Sequence, residues 1–73
     1  MVEVFKTNVH HPGQAHMLLN QIHRLFKNYK ANFDLDDCDK ILRVKCDSGY
    51  IQPAALINLL QDFGFKAEVL PDD

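Results

Sequence analysis

The chain has no long apolar run. The longest, residues 54–60, is interrupted by Asn58 and is far shorter than the roughly 20 residues that a membrane-spanning helix needs. It has no cationic excess either: 8 Lys and Arg against 10 Asp and Glu give a net charge of −2. A general attraction for nucleic acid is therefore not expected. Only two cysteines are present, Cys38 and Cys46, too few for a disulfide scaffold. If residues 40–46 form one strand, a rise of ~3.3 Å per residue puts the thiols roughly 20–25 Å apart. That is well beyond the ~7 Å Cα separation a disulfide tolerates, and it also rules out a shared metal ion. The chain shows no Gly-rich phosphate loop, no Ser/His/Asp order and no His-Glu metalloprotease motif. The loop after the first apolar run lacks the Arg that an acylphosphatase-type phosphate loop requires. No enzymatic activity is expected. The opening Met1-Val2-Glu3-Val4-Phe5-Lys6 reads as a strand rather than a charged-then-apolar leader, so a soluble, cytoplasmic protein is expected.

What is present is ordinary in amount and orderly in placement. The 73 residues are 47% hydrophobic and 25% charged, as in a packed globule, and suit one domain spanning residues 1–73. A chain this short buries only ~60% of its unfolded surface, so a two-layer core is the economical solution.

Periodicity places six elements. Residues 2–9 carry Val2, Val4, Phe5 and Val9 among polar Lys6 and Asn8, as a strand does. Over residues 14–28, Ala15, Leu18, Leu19, Ile22, Leu25 and Phe26, continued by Tyr29, follow one buried helical stripe. Residues 31–36 alternate Phe33 and Leu35 with Asn32, Asp34 and Asp36. After the polar turn 36–40, residues 41–46 set Leu42, Val44 and Cys46 against Arg43 and Lys45, which implies an antiparallel hairpin. Pro53 suits the first turn of a second helix bearing Leu56, Leu59, Leu60 and Phe63, and Gly64 suits its left-handed cap. Phe65, Ala67 and Val69 share one face of a last strand over residues 65–70. The order βαββαβ with right-handed crossovers predicts an α+β ferredoxin-like sandwich: a four-stranded antiparallel sheet with both helices on one face.

Three of the four histidines, His10, His11 and His16, sit around the Pro12-Gly13 pair between the first strand and the first helix. Imidazole accepts borderline ions, so a Zn, Ni or Cu site using His11 with His10 is one reading. Adjacent His10 and His11 tend to point apart, and His16 should face away around the helix. Solvated loop histidines are the simpler reading. The run Asp34-x-Asp36-Asp37-x-Asp39 lacks the Gly and distal Glu of a calcium loop and reads as a solvated strand and turn.

The chain as a whole resembles the heavy-metal-associated domains, small copper- and zinc-carrying modules. The resemblance runs through Phe5-Lys6-Thr7-Asn8-Val9, Asn32-Phe33-Asp34-Leu35 and Lys40-Ile41-Leu42-Arg43-Val44. It continues in Ile51-Gln52-Pro53-Ala54-Ala55-Leu56-Ile57 and Gly64-Phe65-Lys66-Ala67-Glu68-Val69. That family's metal loop is Met-x-Cys-x-x-Cys, and the resemblance implies that Val9 stands at the Met position, His11 at the first Cys and Gln14 at the second. Both thiolates are replaced. Thiolates are the soft donors that select Cu(I), so copper carriage is not expected of the loop Val9, His11, Pro12, Gly13 and Gln14. Phe65, at the position flanking that loop, would be a wall residue rather than a ligand.

The leading expectation is a non-enzymatic binding module on a retained scaffold; the alternative is metal binding through His11 and His10, the ion shared with a second chain. A protein partner or homodimer would use the sheet or an edge strand, with Val2, Val4 and Ile41 on its free face. That face carries no aromatic cluster of the kind that binds RNA.

Overall fold

The computed structural model describes residues 1–71. Its element order is β1 (Val2–Thr7), α1 (Pro12–Leu25), β2 (Tyr29–Asp34), β3 (Ile41–Cys46), α2 (Pro53–Asp62) and β4 (Ala67–Val69). The strands form one sheet in the order β2-β3-β1-β4, and every pairing is antiparallel. The described residues span 30 × 30 × 18 Å. The short dimension fits a sheet and one layer of helices, each ~10–12 Å across, so one sheet face is uncovered. The expected ferredoxin-like βαββαβ sandwich is the observed fold.

The core lies between that sheet and the helices. Phe5, Leu42, Val44 and Cys46 from the strands meet Ala15, Leu18 and Ile22 of α1 and Leu56, Leu59 and Leu60 of α2. Phe5, Leu18, Ile22, Leu42, Leu56 and Leu60 are fully buried, each contributing on the order of 2 kcal/mol of transfer free energy. Cys46 is buried and Cys38 exposed, as their patterns indicate.

Strands β1, β2 and β4 end at Thr7, Asp34 and Val69, short of the expected 9, 36 and 70, and β4 starts at Ala67 rather than 65; the boundaries around α1 depart for local reasons. Helix α1 begins at Pro12, two residues before the expected start at Gln14. Proline at the first helical position lacks only an N–H that would be unpaired there, so Pro12 starts the helix rather than breaking the chain. The helix stops at Leu25, and Tyr29 opens β2 opposite Cys46. Phe26 and Tyr29 stack at 5.0 Å, and both pack on the core. Leu25, expected in the buried stripe, is 54% exposed, whereas Phe26 packs on the core.

At the far end, α2 closes with a Schellman motif. Phe65 N–H donates to Leu60 O at 2.9 Å, Gly64 N–H donates to Gln61 O at 2.9 Å, and Gly64 has φ +89°. The motif swings Phe65 onto the core and leaves Phe63, also expected inside, 42% exposed. Ile41, expected on the free face, is only 6% exposed. It sits beside the turn in cross-strand register with Asp34, outside the main core cluster.

The β2 edge is partly closed by α1. Tyr29 N–H donates to Phe26 O at 3.0 Å, and Ala31 N–H donates to His23 Nε2 at 3.0 Å. Two edge amides that could pair with a foreign strand are thereby occupied.

Candidate functional site

The loop between β1 and α1 is anchored at its base and open at its tip. Thr7 is buried; its hydroxyl donates to Lys40 O at 2.6 Å and accepts from Val9 N–H at 3.2 Å. Thr7 N–H donates to Asp39 O at 3.1 Å, so the loop base and the β2–β3 turn are tied together. That turn holds Lys40 at φ 48°, a strained conformation for a residue with a Cβ. The Lys40 ammonium donates to Leu35 O at 2.8 Å, helping to hold it. On the other side, Asn8 N–H donates to Lys66 O at 3.3 Å and Asn8 Oδ1 accepts from Lys66 N–H at 2.8 Å. This stitches the loop to the chain just before β4.

Of the residues singled out by sequence, Val9 is fully buried and belongs to the core. His10 and His11 are exposed. His11 is the N-cap of α1, with extended backbone and no side-chain cap, and its carbonyl accepts from Ala15 N–H at 3.0 Å. Pro12 and Gly13 are exposed in the first turn, and a Cβ on Gly13 would meet nothing within 4 Å. Gln14 is half-buried, and Phe65 packs on the core from across the chain. The loop's apolar members are thus structural, and its histidines are free at the surface.

The fold does not gather the histidines into a three-ligand group. Among the described residues, the group of three or more His, Cys, Asp or Glu whose ligand atoms lie within 4.8 Å of one another is Asp37, Cys38 and Asp39. Its backbone explains it: Asp37 Oδ1 accepts from Asp39 N–H at 2.9 Å, and Lys40 N–H donates to Asp37 O at 3.0 Å, as in an Asx-type turn. A cleft of about 470 Å³ lies at the base of the loop rather than at its tip, lined by Lys6, Thr7, Asn8, Gln61, Lys66, Ala67 and Glu68. None of the histidines lines it.

A second constellation forms on the uncovered sheet face. Strand register sets Lys30 directly opposite Lys45, and Arg43 opposite Asn32. The three cations are exposed and, with Ala31 and Asn32, line a shallow cleft of about 190 Å³. Alternation in the sequence puts Arg43 and Lys45 on this face but leaves out Lys30, which lies one residue before the expected start of β2. The Tyr29–Cys46 pairing carries the strand back far enough to include it.

The sequence matches no family model and no curated protein. Among solved structures, the fold is similar to the solution structure of the yeast copper transporter domain Ccc2a in its apo and Cu(I)-loaded states. The TM-score is 0.78 over 99% of this chain and 97% of that one, at 16% sequence identity. At that identity the likeness is one of fold: this chain has the architecture of a copper-transporter domain. No helix among the described residues is long and apolar enough to cross a membrane.

Proposed function

We propose that the chain is a non-enzymatic, single-domain, cytoplasmic module that uses a heavy-metal-associated scaffold to bind another protein and has given up soft-metal carriage. The carrying observation is the chemistry of the loop at the start of α1. The resemblance to that family sets its two thiolate positions at His11, which is an exposed N-cap, and at Gln14, which is half-buried in the first turn. The chain's own thiols are elsewhere, Cys46 buried in β3 and Cys38 in the β2–β3 turn. A neutral imidazole and an amide are poor donors for Cu(I). Val9 and Phe65, which frame the loop, are spent on packing.

The exposure of neighbouring His10 and His11 supports a second reading, in which they bind Zn, Ni or Cu with the ion shared between two chains. A thermal titration separates the two. A native-state ligand at 100-fold its dissociation constant stabilises by ~2.7 kcal/mol, a melting shift of roughly 10 °C or more for a domain of this size. The module reading expects no shift with Zn(II), Ni(II), Cu(II) or Cu(I). A shift that His11→Ala abolishes establishes the metal reading in its place.

A further inference from the structure

We infer that the uncovered sheet face is a docking surface for an extended acidic segment of a partner protein, recognised by Lys30, Arg43 and Lys45. This rests on the module reading and names its surface and the chemistry of its partner. The first observation is an unpaid local conflict. Like charges directly opposite across an antiparallel pair are destabilising, yet Lys30 and Lys45 are held in that register. Among the described residues, neither Lys30 nor Arg43 is in an ion pair, and Lys45 has only exposed Asp47 at 3.7 Å. A surface pair of that kind contributes little. By contrast, the fourth cation on this face, Lys6, lies opposite Glu68 and 3.9 Å from Asp39. Among the described residues, a chain of net charge −2 therefore gathers three cations on one stretch of a rigid sheet with little acidic compensation, Asp34 lying on the same face opposite Ile41.

The spacing selects the ligand. Arg43 and Lys45 are two residues apart on one strand, about 6.6–6.8 Å. An extended peptide repeats its own side chains at that interval, so carboxylates at positions i and i+2 fall over both cations. Lys30, opposite Lys45, broadens the charge at one end. On the other flank, Val2 lies opposite Lys45 and Val4 opposite Arg43, giving apolar surface for the stems of glutamates. Val2 is 51% exposed. The aromatic strand residues Phe5, Tyr29 and Phe33 pack toward the core, so the face lacks the stacking platforms that single-stranded nucleic acid uses. A second copy of this chain would present the same cations, which disfavours self-pairing through them.

The test is an amide NMR titration of the whole chain with a short Glu-Ser repeat peptide and its Gln-Ser counterpart, in low salt and at 0.3 M NaCl. The expected result is peptide-dependent shifts at Val4, Lys30, Arg43 and Lys45, only with the Glu peptide, weakened by salt. The variant Arg43→Gln/Lys45→Gln should bind about tenfold more weakly. Both positions are exposed, and the variant should melt no lower than the parent chain. Shifts confined to residues 8–14, equal binding of the Gln peptide, or undiminished binding by the variant would overturn the proposal. So would displacement of the Glu peptide by an RNA oligonucleotide or by anionic vesicles at lower concentration, or concentration-dependent self-association through this face. Failure here with no metal response refutes the surface alone, whereas a metal response at His11 refutes the module reading itself.

Discussion

The β1–α1 loop with the first turns of α1, and the open face of the β2–β3 hairpin, each present three candidate side chains of one kind, histidines in one and cations in the other, and the fold treats them in opposite ways. His10, His11 and His16 lie within seven residues, yet they do not converge into a three-ligand group. Lys30 is separated from Arg43 and Lys45 by the whole acidic turn, yet strand register brings the three to one cleft. Nearness along a loop says little about convergence, because successive residues leaving a strand point apart. Register across a hairpin fixes convergence, because side chains two apart on each strand share a face. A rigid element can hold a surface that a solvated loop tip does not.

The strongest way to break this contrast is to restore thiolates. His11→Cys/Gln14→Cys should give stoichiometric Cu(I) binding, an affinity gain of orders of magnitude measurable by competition with a Cu(I) chelator. If the double variant fails to bind, the loop differs from a metal loop in geometry as well as in donors.

Loop anchoring is the next test. Thr7→Val strands Val9 N–H and Lys40 O without their partner hydroxyl, and should cost about 2 kcal/mol in urea unfolding. The tip should be indifferent by comparison: His10→Ala should stay within about 0.5 kcal/mol of the parent chain in the same assay. On the sheet face the sign reverses. Lys30→Glu replaces a like-charge pair with Lys45 by an opposite-charge one, and should stabilise by about 0.5 kcal/mol, raising the melting temperature by a few degrees. That same substitution should weaken the acidic peptide, separating stability from binding at one residue.

These effects also explain what was legible in the sequence. Strand β3 and the start of α2 could be read directly, because Leu42, Val44 and Cys46 alternate strictly and Pro53 marks a first helical turn. The same proline rule holds at Pro12, but the Gly13 that follows makes the pair look like a turn. Tyr29 fits both the helical stripe of α1 and the first inward position of β2, and only its stacking on Phe26 and pairing with Cys46 decide between them. That ambiguity hid Lys30, and with it the cationic cleft. Phe63 and Phe65 fit the core equally well by pattern, and the Schellman geometry around Gly64 chooses Phe65. The absence of cysteine from residues 8–14 is legible from residue types alone. The sheet surface is not, because it depends on register.

Whether the β1–α1 loop holds a metal ion is read from the imidazole ring resonances of His10 and His11 under one equivalent of Zn(II) and, separately, Cu(I). Under the proposed function both rings stay at their metal-free positions, and an added Cys-containing competitor peptide takes up the ion. Stoichiometric displacement of the His11 ring signals, surviving in the presence of that competitor, would contradict that proposal.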